Sequence, residues 1–189
     1  MKNLKFKSLA ILFASFALFS GCKNETTEVV SPFVGNYTIT KAAVTEAFSL
    51  ITTIPTVSIP IPVGTPITQN IQAALLSSVS CSTADKSWVE LRKDNSMWMS
   101  CEGAKAISAG TWQEVNATTL LLNMNSVAVK PNGFALTVTN VVKNAAGLTG
   151  KTSVPMPKEM FAAALPQGMT LAGTPALYIV AFSIDFTKK

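Results

Sequence analysis

The chain has 189 residues, the length of one domain, with 48% hydrophobic residues, 13% charged residues and no histidine. Its apolar content is too high for a chain that is disordered throughout. The lack of histidine excludes Ser-His-Asp and Cys-His triads, histidine-ligated zinc or haem, and a histidine general base.

Residues 1–21 have the pattern of an export signal. Lys2, Lys5 and Lys7 form a positive segment, and an uninterrupted apolar or small-residue run follows from Leu9 to Phe19. A helix of that length rises about 1.5 Å per residue and falls well short of a bilayer core of about 30 Å. The pattern therefore predicts a signal peptide rather than a membrane span.

The signal ends in Ser20-Gly21-Cys22, which resembles the lipobox of bacterial lipoproteins. The resemblance implies that residues 1–21 are removed and that Cys22 is acylated, which holds the protein on a membrane. It also implies a location in the cell envelope, with the outer membrane of a Gram-negative bacterium expected, at its periplasmic or its surface face. An ordinary secretory signal with an incidental cysteine is the alternative. Residues 22–32 are mostly polar and aperiodic, and they predict a flexible tether.

Removal of the signal changes the charge balance. The whole chain has 15 Lys and Arg against 10 Asp and Glu, and loss of Lys2, Lys5 and Lys7 lowers the net charge from +5 to +2. The remaining basic residues are scattered along the sequence. We therefore expect no binding to nucleic acid.

Two cysteines, Cys81 and Cys101, remain for the body of the chain. In an exported protein two such cysteines predict a structural disulfide. A redox pair or a metal site is the alternative, but the sequence has no CxxC motif and no histidine. A hairpin turn predicted at 93–96 sets Trp88 opposite Cys101, so the residues after Cys81 must fold back over the strand.

Most of residues 33–189 alternate apolar and polar residues with period two between turn residues, as antiparallel strands do. The longest predicted strand, 176–187, has one face of Tyr178, Val180, Phe182, Ile184 and Phe186. Two short helices are predicted at 67–79, from its apolar spacing, and at 158–165, between prolines. A barrel or a sandwich fits this pattern.

Residues 50–67 form an unusual apolar stretch that is rich in proline. Val57, Ile59, Ile61 and Val63 alternate, but four prolines exclude a central strand. The segment is predicted to be an edge strand or extended loop packed on the domain flank. Alternatively, it is a lid over a barrel mouth or a surface that contacts lipid or a partner.

The order of elements resembles the lipocalin-like (calycin) domains of small bacterial lipoproteins. The matching features are Val34-Gly35-Asn36-Tyr37, the helix before Cys81, the segment from Cys81 to Cys101, Gly110-Thr111-Trp112, and Leu120-Leu121-Leu122. The resemblance implies a single antiparallel up-and-down barrel, mainly β, with one or two short helices and a proline-rich insertion. It also implies an interior that holds a small apolar ligand.

The residues predicted to face that interior are candidates for ligand binding: Met97, Met99, Leu120, Leu122, Leu136, Val138, Val180 and Phe182. They line a cavity in one interpretation and fill a solid core in the other, because an eight-stranded barrel is narrow enough for either. Three tryptophans, Trp88, Trp98 and Trp112, are candidates for sugar stacking or for packing.

No phosphate-binding glycine loop, GxSxG motif, zinc signature or EF-hand occurs in the sequence, and we expect no metal and no cofactor. The sequence thus predicts a non-enzymatic lipoprotein that binds a small apolar ligand. The second hypothesis is a structural or protein-interaction module with a solid barrel, in which 50–67 is the contact surface. A hydrolase would require two of the scattered carboxylates to meet in one cleft.

Overall fold

Eight antiparallel strands close into a barrel in the computed structural model of the chain, which describes residues 30–53, 55–76, 79, 81, 83–125 and 133–189. The barrel strands are β1 (Gly35–Val44), β4 (Ser87–Leu91), β5 (Ser96–Cys101), β6 (Ile107–Asn116), β7 (Thr119–Met124), β8 (Phe134–Asn144), β9 (Gly147–Pro157) and β10 (Leu177–Lys188). Each strand pairs with the next in this order, and β10 pairs with β1 to close the wall. The predicted up-and-down barrel is therefore confirmed.

Tight turns form one end of the barrel, and long connections form the other. The turn end carries the start of β1, the end of β10 and the connections at 92–95, 117–118 and 145–146. The loop end carries the connections at 45–86, 102–106, 125–133 and 158–176. The chain therefore contributes eight strands to the wall. Its longest connection lies between the first two barrel strands, β1 and β4.

The proline-rich insertion forms a two-stranded hairpin outside the barrel wall. Its strands are β2 (Phe48–Ile51) and β3 (Ser58–Ile61), and Leu50 lies fully buried opposite Ile59. Pro60 lies within β3, which is an edge strand in this two-stranded sheet, because proline has no N–H to donate to a further strand. The predicted edge strand is confirmed, and the hairpin packs part of its apolar surface into the core.

A helix and a 3₁₀ helix complete the loop end. Helix α1 (Thr68–Leu76) follows Pro66 and buries Ile71 against the barrel. Its Gln72 Nε2 donates to the Ile39 carbonyl at 2.7 Å, and Asn70 Nδ2 donates to the Met160 carbonyl. The second predicted helix is a 3₁₀ helix over Lys158–Ala164, and it lies between Pro157 and Pro166.

Three aromatic rings join the insertion to this 3₁₀ helix and to the barrel. The ring centroid of Phe161 lies 5.4 Å from that of Phe48 and 6.1 Å from that of Tyr178, and Phe48 and Tyr178 are 5.9 Å apart. The Tyr178 hydroxyl accepts a hydrogen bond from the Ile51 amide at 3.1 Å. We call Phe48, Phe161 and Tyr178 the aromatic clasp.

The predicted register of the β4–β5 hairpin is wrong by one residue. Cys101 lies opposite Ser87 instead of Trp88. The reason is the turn: Asn95 adopts a left-handed conformation (φ 61°), and the Arg92 amide bonds to the Ser96 carbonyl, which leaves three residues in the loop. The predicted turn has an even number of loop residues and the observed turn has three. This difference shifts every pair of facing residues in the hairpin by one position.

Gly110 occupies a position in β6 that only glycine tolerates. Its φ is 141°, and a Cβ added there would lie 2.0 Å from the Asn123 carbonyl oxygen. The β5–β6 register shifts at the same level, between Met97 and Trp98. Gly110 thus lies within β6, beside a bulge in its pairing with β5.

The compact unit that contains the barrel begins at Ser31, two residues before the predicted domain boundary. The Ser31 hydroxyl donates to the Glu114 carboxylate, and the Val34 amide bonds to the Ser31 carbonyl at 3.1 Å. These bonds tie the end of the predicted tether to the barrel. The predicted signal peptide, Cys22, residues 23–29 and the predicted turn at 130–132 lie outside the described residues.

Candidate functional site

The eight residues predicted to face the barrel interior all lie on its inner face. They are Met97 and Met99 of β5, Leu120 and Leu122 of β7, Leu136 and Val138 of β8, and Val180 and Phe182 of β10. The register places Leu120 opposite Val138 and Leu122 opposite Leu136. The structure therefore brings all eight into one interior, as period-two alternation requires.

This part of the interior is tightly packed. Met97 and Val180 have no exposed surface, and Met99, Val138 and Phe182 are each 1% exposed. A side chain without exposed surface has no space beside it for even one water molecule. The interior around these five described residues is therefore filled by side chains, with no ligand-sized space beside them.

A small apolar cavity lies inside the barrel, near the turn end. Its lining residues are Tyr37, Val89, Leu91, Leu120, Leu122, Leu148 and Phe186. The cavity volume is about 10 Å³, which is about enough for one water molecule. Of the predicted ligand-binding residues, Leu120 and Leu122 line this cavity.

Five lining residues were not among the predicted site residues: Tyr37, Val89, Leu91, Leu148 and Phe186. The alternation in β1 and β4 puts Tyr37, Val89 and Leu91 on the inner face, so that signal was available in the sequence. The Tyr37 hydroxyl donates to the Phe33 carbonyl at 3.0 Å, and burial raises the pKa of Tyr37 above its ordinary value. The tyrosine is thus a neutral donor that closes the cavity next to Phe33.

One polar group inside the barrel has no partner among the described residues. Thr152 of β9 lies opposite Phe182 and is 6% exposed, and its Oγ1 makes no hydrogen bond there. A buried hydroxyl without a partner costs free energy, about 1–3 kcal/mol. Thr152 is therefore the position in the interior where a hydrogen-bonding guest has the most to gain.

A polar network occupies the outer face of β4 and β5. Glu90 accepts from Trp88 Nε1 at 3.2 Å and from the Ser100 hydroxyl, and Arg92 Nη2 reaches its Oε2 at 2.6 Å. Burial raises the pKa of Glu90, but the bonds from Ser100, Arg92 and Trp88 together outweigh burial and hold that pKa below its ordinary value. Glu90 is thus a charged, structurally bound carboxylate.

The three tryptophans do not form one sugar-stacking surface. Trp112 is buried and donates its Nε1 to the Arg92 carbonyl at 2.9 Å. Trp88 and Trp98 are partly exposed on the outer wall, where Lys189 Nζ lies 3.6 Å from the Trp88 ring and Arg92 lies 4.2 Å from the Trp98 ring. Cations of the chain itself therefore cover one face of each outer ring.

The carboxylates of the described residues lie on the surface or are partly exposed: Glu46, Asp85, Glu90, Asp94, Glu102, Glu114, Glu159 and Asp185. Bonds from Thr83 and from backbone lower the pKa of Asp85, and bonds from Ser96 lower the pKa of Asp94. Within the described ranges, no group of three or more metal-ligating side chains is placed to hold an ion.

Cys81 and Cys101 form a disulfide, with an S–S distance of 2.03 Å, in agreement with the predicted bridge. Cys101 ends β5, and the short turn Ala84–Lys86 brings the chain back from Cys81 to β4. The Glu102 amide bonds to the Lys86 carbonyl at 3.0 Å beside this turn. The bridge therefore fastens the end of the insertion to the barrel wall.

No protein-family model matches the sequence, and no curated protein matches it either. Among the helices that the structure describes, none is long and apolar enough to cross a bilayer.

Proposed function

We propose that this protein is a lipoprotein of the cell envelope, anchored through lipid on Cys22. The basic segment, the apolar run and Ser20-Gly21-Cys22 support the proposal from the sequence. The Cys81–Cys101 disulfide supports it from the structure, because structural disulfides persist in exported proteins.

Replacement of Cys22 by serine tests the anchor. The wild-type protein, expressed in a Gram-negative host, should partition into the detergent phase and carry the mass of acyl chains on residue 22. The Cys22→Ser variant should lack the acyl mass, and the mass decides the test, because an uncleaved apolar run from Leu9 to Phe19 would itself enter the detergent phase. Cys22 acylation is rejected if the wild-type protein carries no acyl mass.

The barrel acts as a rigid scaffold that presents a protein-binding surface at its loop end. The observation that supports this function is the packing around Met97 and Val180, which leaves no space for a guest beside these two side chains. On the outside, Val63 and Ile179 at the loop end are 62% and 67% exposed. We assign these two side chains to the proposed contact surface, because burial of exposed apolar area against a partner is favourable.

Crosslinking in cells tests the scaffold role. A photoreactive amino acid at position 63 or 179 should give one discrete crosslinked protein, and Ile179→Asp should remove the product obtained from position 63. The same probe at Val115, which is 52% exposed at the turn end, is the matched control. Equal products from both ends, or none from the loop end, would reject this role.

Carriage of a small apolar ligand is the second candidate function. The apolar cavity beside Leu122 and Leu148 and the unpaired hydroxyl of Thr152 favour it. In this function the interior opens around a guest whose single polar group bonds to Thr152. The methionines of β5 suit such a change, because their side chains adapt to irregular shapes.

Native mass spectrometry after incubation with envelope lipid extract tests the ligand. A bound small molecule should add a defined mass to the wild-type protein, and Thr152→Val should weaken its retention. Leu177→Ala, on the outer face of the same sheet, is the control. If the wild-type protein retains no added mass, the ligand function is excluded.

A further inference from the structure

The chain enters the barrel at the turn end. Ser31 bonds to Glu114 near the end of β6, and Phe33 is fully buried beneath Lys143, whose Nζ lies 4.5 Å from the Phe33 ring centroid. Nine peptide steps separate Ser31 from Cys22, and they span about 30 Å at most. The loop end lies a whole strand of ten residues further away. In the proposed lipoprotein the turn end is therefore the end of the barrel that is nearest to Cys22 along the chain.

The rim of the turn end carries unpaired positive charge. Lys93, Lys143 and Lys188 are exposed, and in the part of the chain that the structure describes none of them forms an ion pair. The carboxylates of Asp94 and Glu114 lie at the same rim but are engaged by hydroxyl groups of Ser96 and Ser31.

Lys189 adds a further cation just outside the rim, on the wall beside Trp88. The nearby ion pair between Arg92 and Glu90 adds no net charge, because its two charges cancel. The rim and its surroundings thus have a surplus of two positive charges: Lys93, Lys143, Lys188 and Lys189 against Asp94 and Glu114.

Exposed apolar side chains accompany these cations. Val115 is 52% exposed at the end of β6, and Val142 is 63% exposed near the end of β8. At the loop end the described charges are Lys86, Lys105 and Lys158 against Glu46, Asp85, Glu102 and Glu159, a surplus of one negative charge. Lys130, in the 125–133 connection, brings the sequence total for the loop end to zero. The end next to the tether is therefore the more positive one.

We infer that the turn-end rim is a membrane-contact surface that binds anionic phospholipid headgroups through Lys93, Lys143 and Lys188, with Val115 and Val142 at the headgroup boundary. This inference rests on the proposed lipid anchor, because a few lysines bind a membrane only weakly. The anchor supplies the missing affinity by keeping the rim at high effective concentration near the surface. The contact then orients the barrel with its loop end away from the bilayer.

Vesicle binding by residues 22–189 carrying Cys22→Ser tests the rim without the acyl chains and without the apolar run from Leu9 to Phe19, which would itself bind vesicles. The probe is a vesicle of 70% phosphatidylcholine and 30% phosphatidylglycerol at about 10 mM salt, where the screening length is about 30 Å. We expect binding to these vesicles and none to pure phosphatidylcholine. The double variant Lys93→Glu with Lys188→Glu should weaken binding at least tenfold, because each lysine contributes about fivefold to the affinity.

The matched control is Lys105→Glu with Lys151→Glu, which changes the net charge equally at exposed positions away from the rim. It should weaken binding less than twofold, and thermal melting should show that both double variants fold. Equal weakening by the two double variants would overturn the inference, as would a lack of binding by the parent chain. Acylation of wild-type Cys22 is measured separately, so failure of the rim and failure of the anchor give different results.

Discussion

The turn end and the loop end of the barrel are stabilised by different kinds of contact. At the turn end, each hairpin is fixed by one Asp or Asn that accepts a backbone amide two residues later. Asp94 accepts from Ser96 at 3.0 Å, Asn116 from Thr118 at 2.9 Å, and Asn144 from Ala146 at 2.8 Å. These local turns fold with little help from the rest of the chain.

The loop end depends on contacts between residues that are far apart in the sequence. Phe48 and Phe161 of the aromatic clasp are separated by more than 100 residues, and Asn70 reaches Met160 across 90. The disulfide closes a separation of 20 residues on the other side of the insertion. A substitution in one of these long-range contacts should therefore cost more stability than a substitution in one of the three tight turns.

Loss of the clasp is expected to have the largest effect. Phe161 is 3% exposed and contacts both other rings, so Phe161→Ala should lower the free energy of unfolding by about 3–5 kcal/mol. Urea denaturation followed by circular dichroism measures the change. Val63→Ala, at the same end but 62% exposed, should stay within about 0.5 kcal/mol. A loss below about 1 kcal/mol for Phe161→Ala would show that the clasp does not support the barrel.

Removal of the disulfide ranks second. Cys81→Ser with Cys101→Ser should lower the free energy of unfolding by about 3 kcal/mol, because the bridge restricts the unfolded chain over a loop of 20 residues. Reduction of the wild-type protein should cause a similar loss. If the double variant unfolds at the wild-type midpoint, the bridge contributes nothing to the stability of the loop end.

The same difference explains what the sequence could predict. The period-two pattern correctly predicted the inner face of β10, from Tyr178 to Phe186. Successive side chains of a strand point to opposite faces whatever strands it pairs with. The inward position of Met97 and Leu136 followed by the same rule. The one-residue error opposite Cys101 arose because the left-handed conformation of Asn95 depends on the hairpin around it.

Other features had no local signal. Nothing near Phe48 in the sequence indicates that Phe161 will contact it, and the unpaired hydroxyl of Thr152 depends on the packing of neighbouring strands. Whether the barrel is filled or hollow depends on volumes summed over eight strands. The alternation pattern is identical in both cases, so the residues of the interior were predictable and its cavity was not.

At the turn end, Asn144→Ala should have a smaller effect. The Asn144 Oδ1 accepts from the amides of Ala146 and Gly147, and its loss should cost about 1 kcal/mol. The urea midpoint again measures the change. Asn123→Ala, at an exposed position in β7, is the control and should change stability less. A loss at Asn144 as large as that at Phe161 would contradict the distinction between local turns and long-range contacts.

The smallest expected effect is the pH dependence that Glu90 contributes on the wall above the turn end. Its folded pKa lies below its unfolded value of about 4.3, because the bonds from Ser100, Arg92 and Trp88 favour the charged form. Its stabilising contribution is therefore present above that unfolded pKa and is lost as the pH falls through the folded pKa.

Replacement by glutamine isolates this contribution. At neutral pH Glu90→Gln should cost about 0.5–1 kcal/mol, and the difference from wild type should shrink as the pH falls from 5 to 3, measured by urea midpoints across that range. Glu102→Gln is a suitable control, because Glu102 is exposed and its ion pair with Lys86 is long at 3.9 Å. A difference between wild type and Glu90→Gln that grows as the pH falls would show that the network does not favour the charged carboxylate.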